Sequence, residues 1–163
     1  MVRFKELSDI FEVAVRIERH SVGLYVRLYQ AVHSSRAKEV FARLGAEEEI
    51  HLGRFRAMLE EVADYEPSYI YPGEYELYVD GMAQRALESF HDMDRDLGIR
   101  TAEEAIAVAV NLEKGKISFY SEAAEEFDGD PKALIGRLIE EERSHLGKLE
   151  ELLSTYPEGG EES

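Results

Sequence analysis

Hydrophobic residues recur every three or four positions in four long segments of the chain, the period of an α-helix with one buried face. The segments predict helices over about residues 5–32, 35–62, 101–127 and 131–154. Residues 63–100 interrupt this pattern, with two prolines and five closely spaced tyrosines followed by an amphipathic stretch at 82–97. We therefore expect an all-α four-helix bundle, with a long crossover between the second and third helices that contains a short extra helix.

Local signals agree with these boundaries. Thr101 followed by Glu104 is typical of a capping box, and Asp130 followed by Pro131 predicts an N-cap with proline at the first helical position. The connections at Ser34 and Gly129 are short, which predicts two antiparallel hairpins. The crossover is long enough to return along the bundle, so we expect the second and third helices to be parallel.

The two predicted hairpins resemble each other in sequence. Residues 47–55 read EEEIHLGRF and residues 141–149 read EERSHLGKL, while residues 17–25 and 112–120 each carry a glutamate followed seven positions later by a tyrosine. We interpret this as duplication of one hairpin, which predicts a pseudo-two-fold bundle.

Polar residues interrupt the hydrophobic faces near the middle of all four helices. An isolated charge at such a core position would cost several kcal/mol. The six residues that we predict to face inward, and to bind metal, are Glu18, Glu48, His51, Glu113, Glu142 and His145.

The residue types and their spacing favour a pair of metal ions. Residues three apart share a helix face, so each Glu-x-x-His pair presents an oxygen and a nitrogen to one ion. Two divalent ions would balance four carboxylates, and mixed imidazole and carboxylate ligands suit iron, with manganese or zinc as substitutes. A purely structural role for these residues, or a vestigial site, is the alternative.

Two tyrosines lie near this predicted site. Tyr25 and Tyr120 follow Glu18 and Glu113 by seven residues, or about 10 Å of helix rise. They are candidate catalytic residues, as electron donors or hydrogen-bond donors to peroxide; the alternative is a packed tyrosine with a satisfied hydroxyl. Two further glutamates, Glu47 and Glu141, precede the histidines by four residues and either orient an imidazole or belong to a solvated face.

The six-residue pattern resembles that of the ferritin-like superfamily, and most closely its rubrerythrin-like group, over about residues 5–154. The resemblance implies a di-iron centre, reaction with O2 or hydrogen peroxide, and a dimer or larger assembly. Rubrerythrin-type enzymes also carry a second glutamate three residues after the first on the third bundle helix, where this chain has Lys116. They usually carry a four-cysteine rubredoxin domain, so electrons here would come from a separate donor protein or from substrate Fe(II).

Composition narrows the remaining classes of function. The formal charge of −16 disfavours nucleic acid and attracts divalent cations. The absence of cysteine excludes a four-cysteine zinc site, a thiolate iron–sulfur cluster and disulfides. We find no membrane span or signal peptide and expect a cytoplasmic protein, with one domain over residues 1–156 and a disordered acidic tail at 157–163.

Three functions are compatible with these features. The first is a di-iron oxidoreductase that consumes hydrogen peroxide or O2 in oxidative-stress defence, acting as a homodimer. The second is a ferroxidase that oxidises Fe(II) for storage, alone or as cargo of a larger shell. The third is a metal-stabilised scaffold without catalysis. We expect a di-iron redox protein and leave its reductant open.

Overall fold

The computed structural model describes residues 7–62, 74–87 and 98–156. It contains five helices: α1 (Leu7–Ala31), α2 (Ser35–Val62), α3 (Glu74–Leu87), α4 (Ala102–Glu125) and α5 (Asp130–Leu153). There is no strand in these ranges, so the predicted all-α class is confirmed. None of the helices in the described residues is long and apolar enough to cross a membrane.

The four long helices pack around a core made of two hydrophobic clusters. The Phe55 cluster takes buried residues from every long helix, among them Ile10, Phe55, Tyr120 and Ile135, and Val79 and Met82 from α3. The Phe41 cluster also draws on all four long helices, with residues such as Leu28, Phe41, Ile106 and Leu149. Contacts join α1 to α2, α2 to α5, α5 to α4 and α4 to α1, while α3 packs against α1 and α4.

The order of the clusters along each helix gives the direction of the chain. Both α1 and α5 run from the Phe55 cluster to the Phe41 cluster, whereas α2 and α4 run the opposite way. The two hairpins are therefore antiparallel within themselves. As expected from the long crossover, α2 and α4 are parallel.

The observed helix ends agree with those predicted from the sequence except at two positions. The capping box of Thr101 and Glu104 is present, as predicted. The N-cap of α5 is Gly129 rather than Asp130, because Gly129 has φ +66° and Asp130 already lies in the first helical turn, where its charge favours the helix dipole. The extra helix begins at Glu74 rather than near residue 82. Because this segment contains no proline, the last two tyrosines of the cluster lie within the helix. Its predicted end at 97 and the acidic tail lie outside the described residues.

The helical spacing of four residues after Tyr25 predicts a core position for Tyr29 on the first helix, but Tyr29 lies at the surface. Tyr29 is 42% exposed, and it lies with Val26 in an apolar surface groove of about 300 Å³ between α1 and α2. Tyr29 follows the half-buried Val22 by seven residues. Because seven residues fall about 20° short of two full helical turns, a face followed at this spacing drifts toward solvent. The buried face of α1 instead continues through Leu28.

Two glycines test the corrected boundary of α5. Gly129→Ala should lower the free energy of unfolding by about 1 kcal/mol, since φ +66° strains any residue with a Cβ. Gly136→Ala is the matched control inside α5, where an added Cβ meets nothing within 4 Å. It should raise the free energy of unfolding by about 0.5–1 kcal/mol. Urea denaturation measures both, and equal effects would contradict the assignment of Gly129 as the cap.

Candidate metal centre

The structure brings all six predicted ligands together in one polar layer between the two hydrophobic clusters. Each long helix crosses from one cluster to the other at this level, which places its polar residues side by side. The four glutamates are 0% exposed, and the two histidines are at most 4% exposed. The layer is therefore shielded from solvent by the rest of the core.

Two overlapping groups in this layer could hold a metal ion. One consists of Glu18, Glu48, His51 and Glu142, and the other of Glu48, Glu113, Glu142 and His145. Within each group the ligand atoms lie within 4.8 Å of one another. Glu48 and Glu142 belong to both groups, so these two carboxylates would contribute to holding a metal ion on either side of the layer.

The two histidines present the same nitrogen to the layer. His51 Nδ1 lies 3.2 Å from Glu48 and 3.3 Å from Glu142. His145 Nδ1 lies 3.1 Å from Glu48 and 3.3 Å from Glu142. The rings stack with their centroids 5.4 Å apart. The pseudo-two-fold relation predicted from the repeated hairpins is thus visible in the site.

Outer carboxylates hold the other nitrogen of each ring, and they do so across helices. His51 Nε2 on α2 lies 2.7 Å from Glu141 on α5, and His145 Nε2 on α5 lies 2.8 Å from Glu47 on α2. The spacing along the sequence relates each glutamate to the histidine of its own helix, whereas the structure pairs it with the histidine of the other. A proton on Nε2 leaves Nδ1 free to bind a metal.

The two tyrosines also reach across the bundle. Tyr120 on α4 donates a hydrogen bond of 2.6 Å to Glu18 on α1, and Tyr25 on α1 donates one to Glu113 on α4. Both hydroxyls therefore contact predicted ligands directly. Burial raises the pKa of both tyrosines well above its ordinary value, and the carboxylate that each contacts raises it further.

Lys116 has a role in this layer that the sequence reasoning missed, since it treated Lys116 only as the absence of a glutamate. Its side chain is fully buried, and Nζ lies 2.7 Å from Glu48, 2.8 Å from Glu142 and 3.1 Å from Glu18. Hydrophobic periodicity favours Ile117 for the inward face. The sequence signal that indicates an inward Lys116 is its spacing: Lys116 follows Glu113 by three residues, as each histidine follows its glutamate.

The four buried glutamates form two pairs, which differ in the direction of their pKa shift. Burial raises the pKa of Glu18 well above its ordinary value and that of Glu113 to about 8, with Lys116 opposing both shifts. Burial acts in the same sense on Glu48 and Glu142, but Lys116 and the histidines outweigh it and hold the pKa of both low. The two shared carboxylates are thus the ionised ones.

The histidines are cationic when no metal is bound. Burial lowers the pKa of each imidazole, but the carboxylates of Glu142 and Glu48 outweigh burial and raise the pKa of both His51 and His145 to about 10. Since a metal ligand must be a neutral imidazole, metal binding at neutral pH has to release these protons.

Several carboxylate oxygens in the layer have lone pairs that no hydrogen bond uses. Four buried oxygens of the polar layer accept no hydrogen bond: Glu18 Oε2, Glu113 Oε2 and both carboxylate oxygens of Glu142. Each lies within ion-pair distance of Lys116 or a histidine, but the distance or the direction does not form a hydrogen bond. Buried carboxylate oxygens with unused lone pairs are suitable ligands for a divalent cation.

Metal-free protein should become less stable as pH rises from about 6.5 to about 10. The folded-state pKa of His51 and His145 lies above the unfolded value of roughly 6.5. Their stabilisation is therefore complete below about pH 6.5 and is lost as pH rises through about 10. The raised pKa of Glu113 acts in the same direction.

Calorimetry of chelator-treated protein at the two ends of this range measures the effect as a fall in melting temperature. The double variant His51→Gln and His145→Gln is the control and should show a smaller fall. A melting temperature that is unchanged or higher at the alkaline end would contradict the assigned pKa values.

No protein-family model, curated protein or solved structure matches this chain. The interpretation of the polar layer therefore depends on the geometry and chemistry of its own residues.

Proposed function

We propose that this protein is a non-haem iron oxidoreductase with a ferritin-like bundle, which oxidises Fe(II) with hydrogen peroxide or O2. The observation that carries the proposal is the pair of overlapping ligand groups that share Glu48 and Glu142. Each group adds one inward imidazole nitrogen and one further carboxylate. Iron bound there would supply one-electron redox chemistry.

The choice of iron follows from the donors. Imidazole and carboxylate ligands without any thiolate suit iron and manganese, with zinc as a substitute. The same combination, with one glutamate from each of two helices and a Glu-x-x-His pair from each of the other two, is the known arrangement of di-iron carboxylate bundles. A single long crossover between the hairpins also occurs in ferritin-like folds.

The surrounding residues have separable roles in this proposal. Tyr25 and Tyr120 hold Glu113 and Glu18 by hydrogen bonds, which fixes the direction of these carboxylates. The outer carboxylates of α2 and α5 keep a proton of each imidazole on Nε2. The chain thereby orients its ligands before any ion arrives, so that little rearrangement is needed on binding.

A polar pocket offers a path to the layer. It has a volume of about 220 Å³ and is lined by Glu47, Ile50, His51, Arg54, Glu141, Ser144 and His145. Its two carboxylates, Glu47 and Glu141, also pair with Lys148 and Arg54. A small oxidant such as hydrogen peroxide also fits a pocket of this size, whereas a large organic substrate does not.

The alternative is a metal-independent structural layer, and Lys116 is the observation that favours it. With Lys116 and both imidazoles cationic, the ionised Glu48 and Glu142 are already compensated. A buried ion network of this kind can fix the register of a bundle without any ion. Metal analysis separates the two functions.

Protein loaded with Fe(II) without oxygen and then mixed with peroxide or O2 should form Fe(III) faster than free Fe(II) does. The double variant His51→Ala and His145→Ala should slow the reaction by about 100-fold, because both inward nitrogens are lost. His33→Ala, at an exposed position, is the control and should react as the parent does. Stopped-flow absorbance measures the rates, and a parent rate equal to that of free Fe(II) would exclude the proposed function.

Removal of the outer carboxylates should weaken metal binding without removing a ligand. Glu47→Gln should raise the Kd for Fe(II) bound beside His145 by about 10–100-fold, and Glu141→Gln should do the same for Fe(II) bound beside His51. Glu140→Gln, on the exposed side of α5, should leave the Kd unchanged. Competition with a coloured chelator under anaerobic conditions gives the three values. Equal Kd values in all variants would show that these carboxylates do not orient the histidines.

A further inference from the structure

The side chain of Lys116 extends from α4 into the middle of the polar layer. Its nearest oxygens belong to Glu48, Glu142 and Glu18, all within 3.1 Å of Nζ. Glu113, on the same helix, is farther away at 3.8 Å. An ammonium has three protons, and three carboxylates surround it at contact distance.

These three carboxylates are all the carboxylates of one ligand group. The group that contains His51 is completed by Glu18, Glu48 and Glu142. A divalent ion in this group would bind one oxygen of each carboxylate at about 2.0–2.2 Å. The oxygen of Glu48 nearest His51 Nδ1 is Oε2, and the oxygen of Glu18 that Tyr120 leaves free is also Oε2; Lys116 contacts both. Two cations cannot share those oxygens at contact distance, because each would repel the other from the same place.

The group that contains His145 is less affected. Around His145 Nδ1 lie Glu48 Oε1 at 3.1 Å and Glu113 Oε2 at 3.9 Å. Lys116 instead contacts the other oxygen of Glu48, and Glu113 Oε2 accepts no hydrogen bond. The third oxygen near His145 Nδ1 is Glu142 Oε2 at 3.3 Å, and Lys116 contacts it at 2.8 Å. The ammonium therefore engages one of the three oxygens on this side and leaves Glu48 Oε1 and Glu113 Oε2 as donors, the latter at 3.8 Å from Nζ.

We propose that the ammonium of Lys116 takes the place of one of the two ions, so that the centre binds one divalent ion per chain, on the His145 side. The inference rests on the proposed function and specifies its stoichiometry. One divalent ion and Lys116 together carry three positive charges against four carboxylates.

The amino-acid sequences of the two repeated hairpins differ at the position of Lys116. The position equivalent to Lys116 in the first hairpin is Ser21, three residues after Glu18. Ser21 is also fully buried, and its hydroxyl donates a hydrogen bond to the carbonyl oxygen of Ile17 on its own helix. A lysine in one half and a small residue in the other breaks the pseudo-two-fold relation at this level.

Metal stoichiometry tests the proposal directly. The parent and Lys116→Met are loaded anaerobically with excess Fe(II), desalted and analysed for iron per chain. The parent should bind one ion and Lys116→Met two, since methionine keeps much of the volume and removes the charge. Lys114→Met, at an exposed position on the same helix, is the matched control and should bind one. Loading with Mn(II) gives a second measurement, because a lone Mn(II) and a coupled pair differ in their electron paramagnetic resonance spectra.

The outcomes separate this inference from the proposed function. Two ions in the parent, or one in a folded Lys116→Met, would overturn the role of Lys116 and leave the metal centre intact. If Lys116→Met does not fold, Lys116→Gln replaces it, and the parent value still decides. No bound ion in the parent would overturn the proposed function and the single-ion centre together.

Discussion

The structure depends on the compensation of negative charge in the middle of a bundle. Four glutamates, each 0% exposed, lie at one level of the core. Unpaired, each ionised carboxylate would cost several kcal/mol. The remaining features of the layer reduce this cost: Lys116 lies among the carboxylates, the two histidines face Glu48 and Glu142, and tyrosine hydroxyls donate to the other two.

The connections of the layer run between hairpins. Tyr25 and Glu113 join α1 to α4, and His145 and Glu47 join α5 to α2. A shift of one helix by a single residue would place several of these groups against hydrocarbon. Buried polar interactions of this kind add little net stability but penalise every other register. The hydrophobic clusters hold the helices together, and the polar layer selects how they align.

Most of the fold could be predicted from the sequence because helical periodicity is strong over four long segments. The burial of the six polar residues in one layer could also be predicted, since a charged residue on an apolar face is conspicuous. The position of Lys116 could not, because periodicity treats a lysine as a surface residue and Ile117 satisfies the same face. The cross-helix partners of His51 and His145 were missed for a related reason: spacing along one helix carries no information about which residue of another helix will lie opposite.

Lys116 also changes how folding and metal binding are related. In small zinc domains the site does not form without metal, so metal binding supplies the free energy of folding. Here a fixed ammonium and two imidazoliums already compensate Glu48 and Glu142. The bundle can therefore form its polar layer without an ion, and an ion bound there as proposed would exchange with protons on the histidines rather than create the site. A metal centre arranged in this way would keep its geometry when metal is scarce but would bind the metal less tightly, because each incoming ion would have to displace bound protons.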